Sequence, residues 1–182
     1  MTTSTTKALR LGITDAGALL LIYLLPTLSH ITSVPFYLLD PMRIAVLGAL
    51  LCTRDWKNSL VLAVTLPLFS ALIGMHPVFP KCALIAVELS VNVLLFAWFM
   101  HLVDKRIASG AVRNSTAAQA LSIGSAAFAS ILLSKLLYYG LKAAVLSAGL
   151  MQMSLVSTAL WIQLLVAVAL SIGFALVFSK NR

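Results

Sequence analysis

Six apolar runs, each about 15–25 residues long, take up nearly the whole chain, and a bilayer core asks for about 20 residues per helical span. They are Ala8 to Leu28, Leu38 to Cys52, Leu60 to Gly74, Cys82 to Val103, Ala117 to Tyr139 and Leu155 to Phe178, separated by Pro, Gly and charge clusters. A composition of 61% hydrophobic and 10% charged residues, with a mean hydropathy of +1.04, exceeds what a globular core needs. The chain is therefore expected to be an all-α, polytopic membrane protein. It should form one six-helix transmembrane domain over residues 1–182, with the second and third helices short. The first run is too long for the apolar part of a cleavable signal and lacks a clean small-residue cleavage site.

Charge orients the bundle. Lys7 and Arg10 precede the first run, Arg54 and Lys57 separate the second and third, Lys105, Arg106 and Arg113 separate the fourth and fifth, and Lys180 and Arg182 follow the sixth. Every second boundary is basic, so the positive-inside rule puts both termini in the cytoplasm. The net charge of +8 is then a topological signal, with no nucleic acid needed to explain it and some affinity for anionic headgroups as a by-product. Cys52 and Cys82 fall at opposite membrane faces and are read as small apolar packers. The longest cytoplasmic loop, Asp104 to Thr116, is too short for a nucleotide-binding domain. Phosphate-binding glycine loops, a Ser-His-Asp order and HExxH are all missing from the sequence. Neither an enzyme nor a cofactor is expected, and any uphill transport must draw its energy from a partner or an ion.

Four cations break the orientation rule: Arg43, Lys81, Lys135 and Lys142, at or just below the outer ends of the second, fourth and fifth helices. His30, Asp40, His76, Glu88, Tyr138, Tyr139 and Gln152 join them there. Ionisable groups at membrane depth cost at least about 2.5 kcal/mol each on insertion scales, so such sets pair internally or line a wet cavity. Lys81, Glu88 and Asn92 are spaced i, i+7, i+11 and share one stripe of the fourth helix. Lys135, Tyr138 or Tyr139, and Lys142 repeat the pattern on the fifth. Glu88 taken alone is open to a structural reading, as a strut to Lys135 or Lys81. Taken together, four cations against Asp40 and Glu88 leave positive charge that helix packing does not require and an anionic or zwitterionic ligand would explain.

The outer segments Leu28 to Met42 and Gly74 to Cys82 hold His and aromatic groups between prolines and read as a lid and pocket rim. Gln152, Trp161 and Gln163 are candidates for one wall of the pocket, Trp161 also being placed as an interfacial anchor. His30 and His76 lack the Cys or carboxylate pair that a metal site would add, and no metal site is assigned. On the first helix Ala8, Gly12 and Ala16 stand four apart, a ridge that lets another helix approach closely; its partner is either the protein's own bundle or a second protein. The small residues from Ala117 through Ser130 read as internal packing. Asp15 is expected to pair with Arg54 or Arg113.

Two stretches carry a resemblance. The ridge at Ala8, Gly12 and Ala16, and the entry to the fourth helix, "FPKCALIAVELSVN" from Phe79 to Asn92, make the chain resemble the substrate-binding S component of an energy-coupling-factor (ECF) vitamin transporter. In that family an AxxxA pattern on the first helix contacts the transmembrane coupling subunit, and Gly12 replaces one Ala here. The resemblance implies a small water-soluble micronutrient held under loops one and three against helices four to six. It also implies partnership with a coupling subunit and ATPase subunits, toppling in the membrane when docked, and residence in a bacterial or archaeal inner membrane. The thiamin, riboflavin and biotin signatures of the family are not recognisable. A six-helix scaffold of the cell envelope is the alternative; it would use the ridge but has no need of a charged outer pocket.

Overall fold

A computed structural model describes residues 3–33, 36–74, 80–109, 116–150, 154–156 and 159–180. Among them the chain forms six α-helices and one short 3-10 turn: α1 (Thr3–Thr32), the turn (Phe36–Leu39), α2 (Pro41–Thr53), α3 (Trp56–Gly74), α4 (Lys81–Ala108), α5 (Thr116–Ser147) and α6 (Leu160–Lys180). Five of the helices are long and apolar enough to cross a membrane, and the described residues contain no strand, so the chain is a multi-pass membrane protein built as a helical bundle. In hydrocarbon each backbone N–H and C=O must be satisfied within its own segment, which is why the apolar runs become helices and nothing else.

The short second helix was foreseen; the reason it is tolerated is its position. Thirteen residues rise only about 20 Å, short of a core of about 30 Å. The helix avoids mismatch by lying inside the bundle, where Val46, Leu47, Ala49 and Leu50 are buried. It is bounded by left-handed Asp40 (φ 53°) and Arg54 (φ 53°), with Pro41 in the first turn, where a missing N–H goes unnoticed. Neighbouring helices in sequence pack on one another from α1 through α6, α1 also meeting α3 and α2 meeting α4; the 3-10 turn bridges α1 and α6 at the end opposite the basic boundaries. The core gathers Leu62, Ala63 and Leu66 of α3, Leu89, Val93 and Phe96 of α4, and Ala126, Ala127 and Ile131 of α5. Large apolar side chains such as Ile13, Leu72, Leu121 and Leu136 point outward, the pattern of a lipid-facing surface.

The small-residue run of α5 is internal in part: Ala126, Ala127 and Ser130 are buried, while Ala117 and Ser125 are exposed. At Gly124 a Cβ would stand 3.2 Å from the Ala175 Cβ of α6. Several helix ends differ from the apolar runs. Helix α1 continues past Pro26 to Thr32, and α5 continues two turns past Tyr139 to Ser147, so charge and proline interrupt hydropathy without ending the helix. Helix α3 begins earlier, at Trp56, because Asp55 accepts from the backbone N–H groups of Lys57 and Asn58 at 3.2 and 3.4 Å and caps it. Helix α6 begins later, at Leu160; Leu155 and Val156 are apolar but not helical.

At the end of the bundle holding the basic boundaries, Lys7 pairs with Asp55 at 3.3 Å. The Lys7 ammonium and the N-terminal amides of α3 hold the Asp55 carboxyl below the usual carboxylate range. Asp15 makes no ion pair with Arg54 among the described residues. Asn58 Nδ2 donates to its Oδ1 at 2.7 Å instead, because α3 starts early enough to carry Asn58 alongside α1; Arg113 lies outside the described residues. Cys52 and Cys82 are both free, one in the last turn of α2 and the other in the first of α4, at opposite ends of the bundle. With both replaced by Ala, a cysteine introduced by Lys57→Cys or Arg106→Cys is expected to react with a membrane-impermeant maleimide only after cells are permeabilised. Labelling in intact cells would reverse the orientation.

Candidate functional site

The ionisable residues of the half of the bundle opposite the basic boundaries converge. Asp40 sits just before α2, which puts Arg43 one turn along it; α4 supplies Glu88 and α5 supplies Lys135. The Arg43 Nε lies 3.0 Å from Asp40 Oδ2, and Nη2 donates to Glu88 Oε1. Lys135 Nζ reaches the same two carboxylates, 3.0 Å from Glu88 Oε1 and 3.5 Å from Asp40 Oδ2. Arg43 and Glu88 are buried, whereas Lys135 and Asp40 keep about a quarter of their side-chain surface, 27% each. Two cations and two carboxylates thus close a ring that ties three helices together and sums to zero charge. Glu88 does have the strut role open to it in the sequence, with Lys135 as one partner; its other partner is Arg43 rather than Lys81.

The stripe on α4 continues inward. Asn92 lies one turn below Glu88 and is buried, and neither its Oδ1 nor its Nδ2 has a hydrogen-bond partner. The Arg43 Nη1 is likewise buried without one. Native interiors leave few polar atoms in this state, and each such atom calls for a water, an ion or a ligand group. On α5 the ammonium groups of Lys135 and Lys142 stand 5.7 and 5.8 Å from the ring centroid of Tyr138, itself buried, and Lys142 is buried completely. Tyr138 stacks edge-on against Tyr139 with centroids 5.4 Å apart. The Tyr139 hydroxyl is hydrogen-bonded to the Gln163 amide of α6, 2.8 Å from Oε1 and 2.6 Å from Nε2.

Of the remaining residues proposed for the pocket, Lys81 opens α4 and is half-buried. His30 lies exposed in the last turns of α1, and Trp161 is 65% exposed at the start of α6, where an interfacial anchor belongs and a pocket wall does not. His76 and Gln152 lie outside the described residues. Among the described residues no group of three His, Cys, Asp or Glu side chains could hold a metal ion. Two cavities open at the opposite, basic end: one of about 380 Å³ between Phe99 and Arg106 of α4 and Ser122 and Ala129 of α5, and one of about 230 Å³ whose rim carries Arg54, Trp56, His101 and Asp104. Sequence reasoning passed over this second group because each member, taken singly, reads as part of a solvated boundary.

The small-residue ridge faces away from the bundle. Ala8, Gly12 and Ala16 are all exposed, and a Cβ on Gly12 would meet nothing within 4 Å. The buried face of α1 is instead the one carrying Ala18 and Ile22. None of the protein's own helices covers the ridge among the described residues. In comparisons with family models, curated proteins and solved structures, nothing matches the chain.

Proposed function

We propose that the chain is a membrane substrate-capture subunit of the ECF S-component kind, binding a small water-soluble, anionic or zwitterionic micronutrient at its outer end. The observation that carries the reading is the set of orphaned buried polar atoms, Arg43 Nη1 and both amide atoms of Asn92, beside an ionic ring at membrane depth. A bundle that served packing alone would gain by replacing Asn92 with an apolar residue. A polar ligand would satisfy these atoms on binding. The reading is supported further by the exposed ridge at the other end of α1, since a capture subunit needs one surface for its cargo and another for its energising module, a coupling subunit with ATPase subunits. On this reading the protein catalyses no reaction and resides in the inner membrane of a bacterium or archaeon.

The envelope-scaffold reading has one observation in its favour: the ring of Asp40, Arg43, Glu88 and Lys135 is neutral in itself and needs no ligand to balance it. Purification in mild detergent followed by mass spectrometry of the denatured sample separates the two. Capture requires one water-soluble metabolite released in near-stoichiometric amount, whose uptake into cells depends on the protein. Preparations that carry no metabolite, from cells whose uptake of none is altered by deletion, would leave the scaffold.

A further inference from the structure

The larger cavity at the basic end opens where α4 and α5 part. Its wall on α4 is Phe99, Leu102, Val103 and Arg106, spaced i, i+3, i+4, i+7, which is one face of the helix over two turns. The facing wall on α5 is Ser122, Ser125, Ala126 and Ala129, at the same spacing. Helices joined by a short connection run antiparallel, so Arg106 and Ser122 stand at the mouth, with Phe99 and Ala129 about 10 Å deeper in the membrane. The small side chains of α5 do not reach the large ones of α4, and about 380 Å³ is left between them. The opposite face of α5 has no such gap, since Gly124 there packs against Ala175 of α6.

Polarity selects what fills the groove. The two serines spend their hydroxyl hydrogens on their own helix, Ser122 donating to the Ala118 carbonyl at 2.9 Å and Ser125 to the Ser122 carbonyl at 3.0 Å. The remaining polar side chain of the wall is Arg106, which is exposed and makes no ion pair among the described residues. A polar metabolite would therefore find no free donor inside, whereas a hydrocarbon chain needs none. One guanidinium at the mouth answers one negative charge. We propose that the groove between α4 and α5 holds a single anionic phospholipid, with an acyl chain lying between Phe99 and Ala129 and the phosphodiester on Arg106. Basic pockets between membrane helices suit lipid headgroups, and a guanidinium fork matches two phosphate oxygens at once. A partner helix, about 10–12 Å across, is too wide to enter a groove of this volume.

Native mass spectrometry of the detergent-solubilised full chain, titrated with phosphatidylglycerol or with phosphatidylcholine of the same acyl chains, reads bound lipid, affinity and oligomeric state together. The wild type should retain one phosphatidylglycerol about fivefold more tightly than phosphatidylcholine, the effect of one basic residue beside an anionic headgroup. Arg106→Gln should remove that preference and leave the weaker binding that both lipids share. Ala129→Leu fills the deep end and should weaken retention of both lipids at least about tenfold, through the apolar contact the chain loses. Should Ala129→Leu fail to fold, as judged by its thermal melt, Arg106→Gln decides the matter, because Arg106 is exposed. Equal retention of the two lipids by the wild type, a preference that survives in Arg106→Gln, or retention unchanged in a folded Ala129→Leu overturns the site. So does a wild-type dimer that Ala129→Leu dissociates while lipid retention stays the same, because the groove would then belong to a second copy of the chain.

Discussion

Glu88→Gln is expected to lower the unfolding free energy in detergent by about 3–5 kcal/mol, the range for removing one partner of a buried ion pair. The substitution keeps the side chain's volume and removes its charge, so the loss reports electrostatics rather than packing. Arg43, almost wholly buried, would keep only Asp40, and Lys135 would lose its shorter contact. The comparison that identifies the cause is Arg43→Met combined with Glu88→Met. Removing both partners takes away the uncompensated charge as well as the attraction, and buried pairs replaced together by apolar residues come out near neutral or better. The double variant should therefore recover most of the loss. Unfolding by sodium dodecyl sulfate titration gives both values; a Glu88→Gln penalty under about 1 kcal/mol would mean that the ring does not hold α2, α4 and α5 together.

Gly12→Leu should abolish uptake and co-purification with an energising module, yet leave folding and ligand retention intact. Membrane helices associate through close van der Waals contact between small residues, which one bulky side chain prevents. The open space around Gly12 makes the separation of effects sharp: a Cβ there meets nothing within 4 Å, and the position is exposed, so a leucine has room to point away from the bundle. Ala16→Trp should act alike, as Ala16 lies exposed one turn further along the same ridge. Transport at the normal rate in both variants would mean that docking uses another surface, and a loss of ligand retention would mean that the outer site senses α1.

Hydropathy alone gave away the helices, because a bilayer demands runs of a fixed length and the chain supplies six. Their ends were less legible. Lys142 interrupts the fifth run, and only tertiary burial lets the helix carry it inward; Asp55 lengthens α3 through a capping interaction that apolar periodicity does not register. The polar stripes of α4 and α5 were readable from the 3.6-residue period, since position on a helix face is a local property. The pairing of Arg43 with Glu88 was not, because it depends on how α2 packs beside α4 across 45 residues of sequence. The same holds for Asp15 and Asn58, which are 43 residues apart. Exposure of the ridge was undecidable for a related reason: a small-residue face looks identical whether its partner is internal or external.

The neutrality of the ring has an electrical consequence. Moving one elementary charge across the membrane potential takes about 2.3 kcal/mol per 100 mV. Because Asp40, Arg43, Glu88 and Lys135 sum to zero and move as one bonded unit, any tilt or displacement of the bundle within the bilayer carries all four through the field with almost no electrical work. Only residues outside the ring make such a motion voltage-dependent.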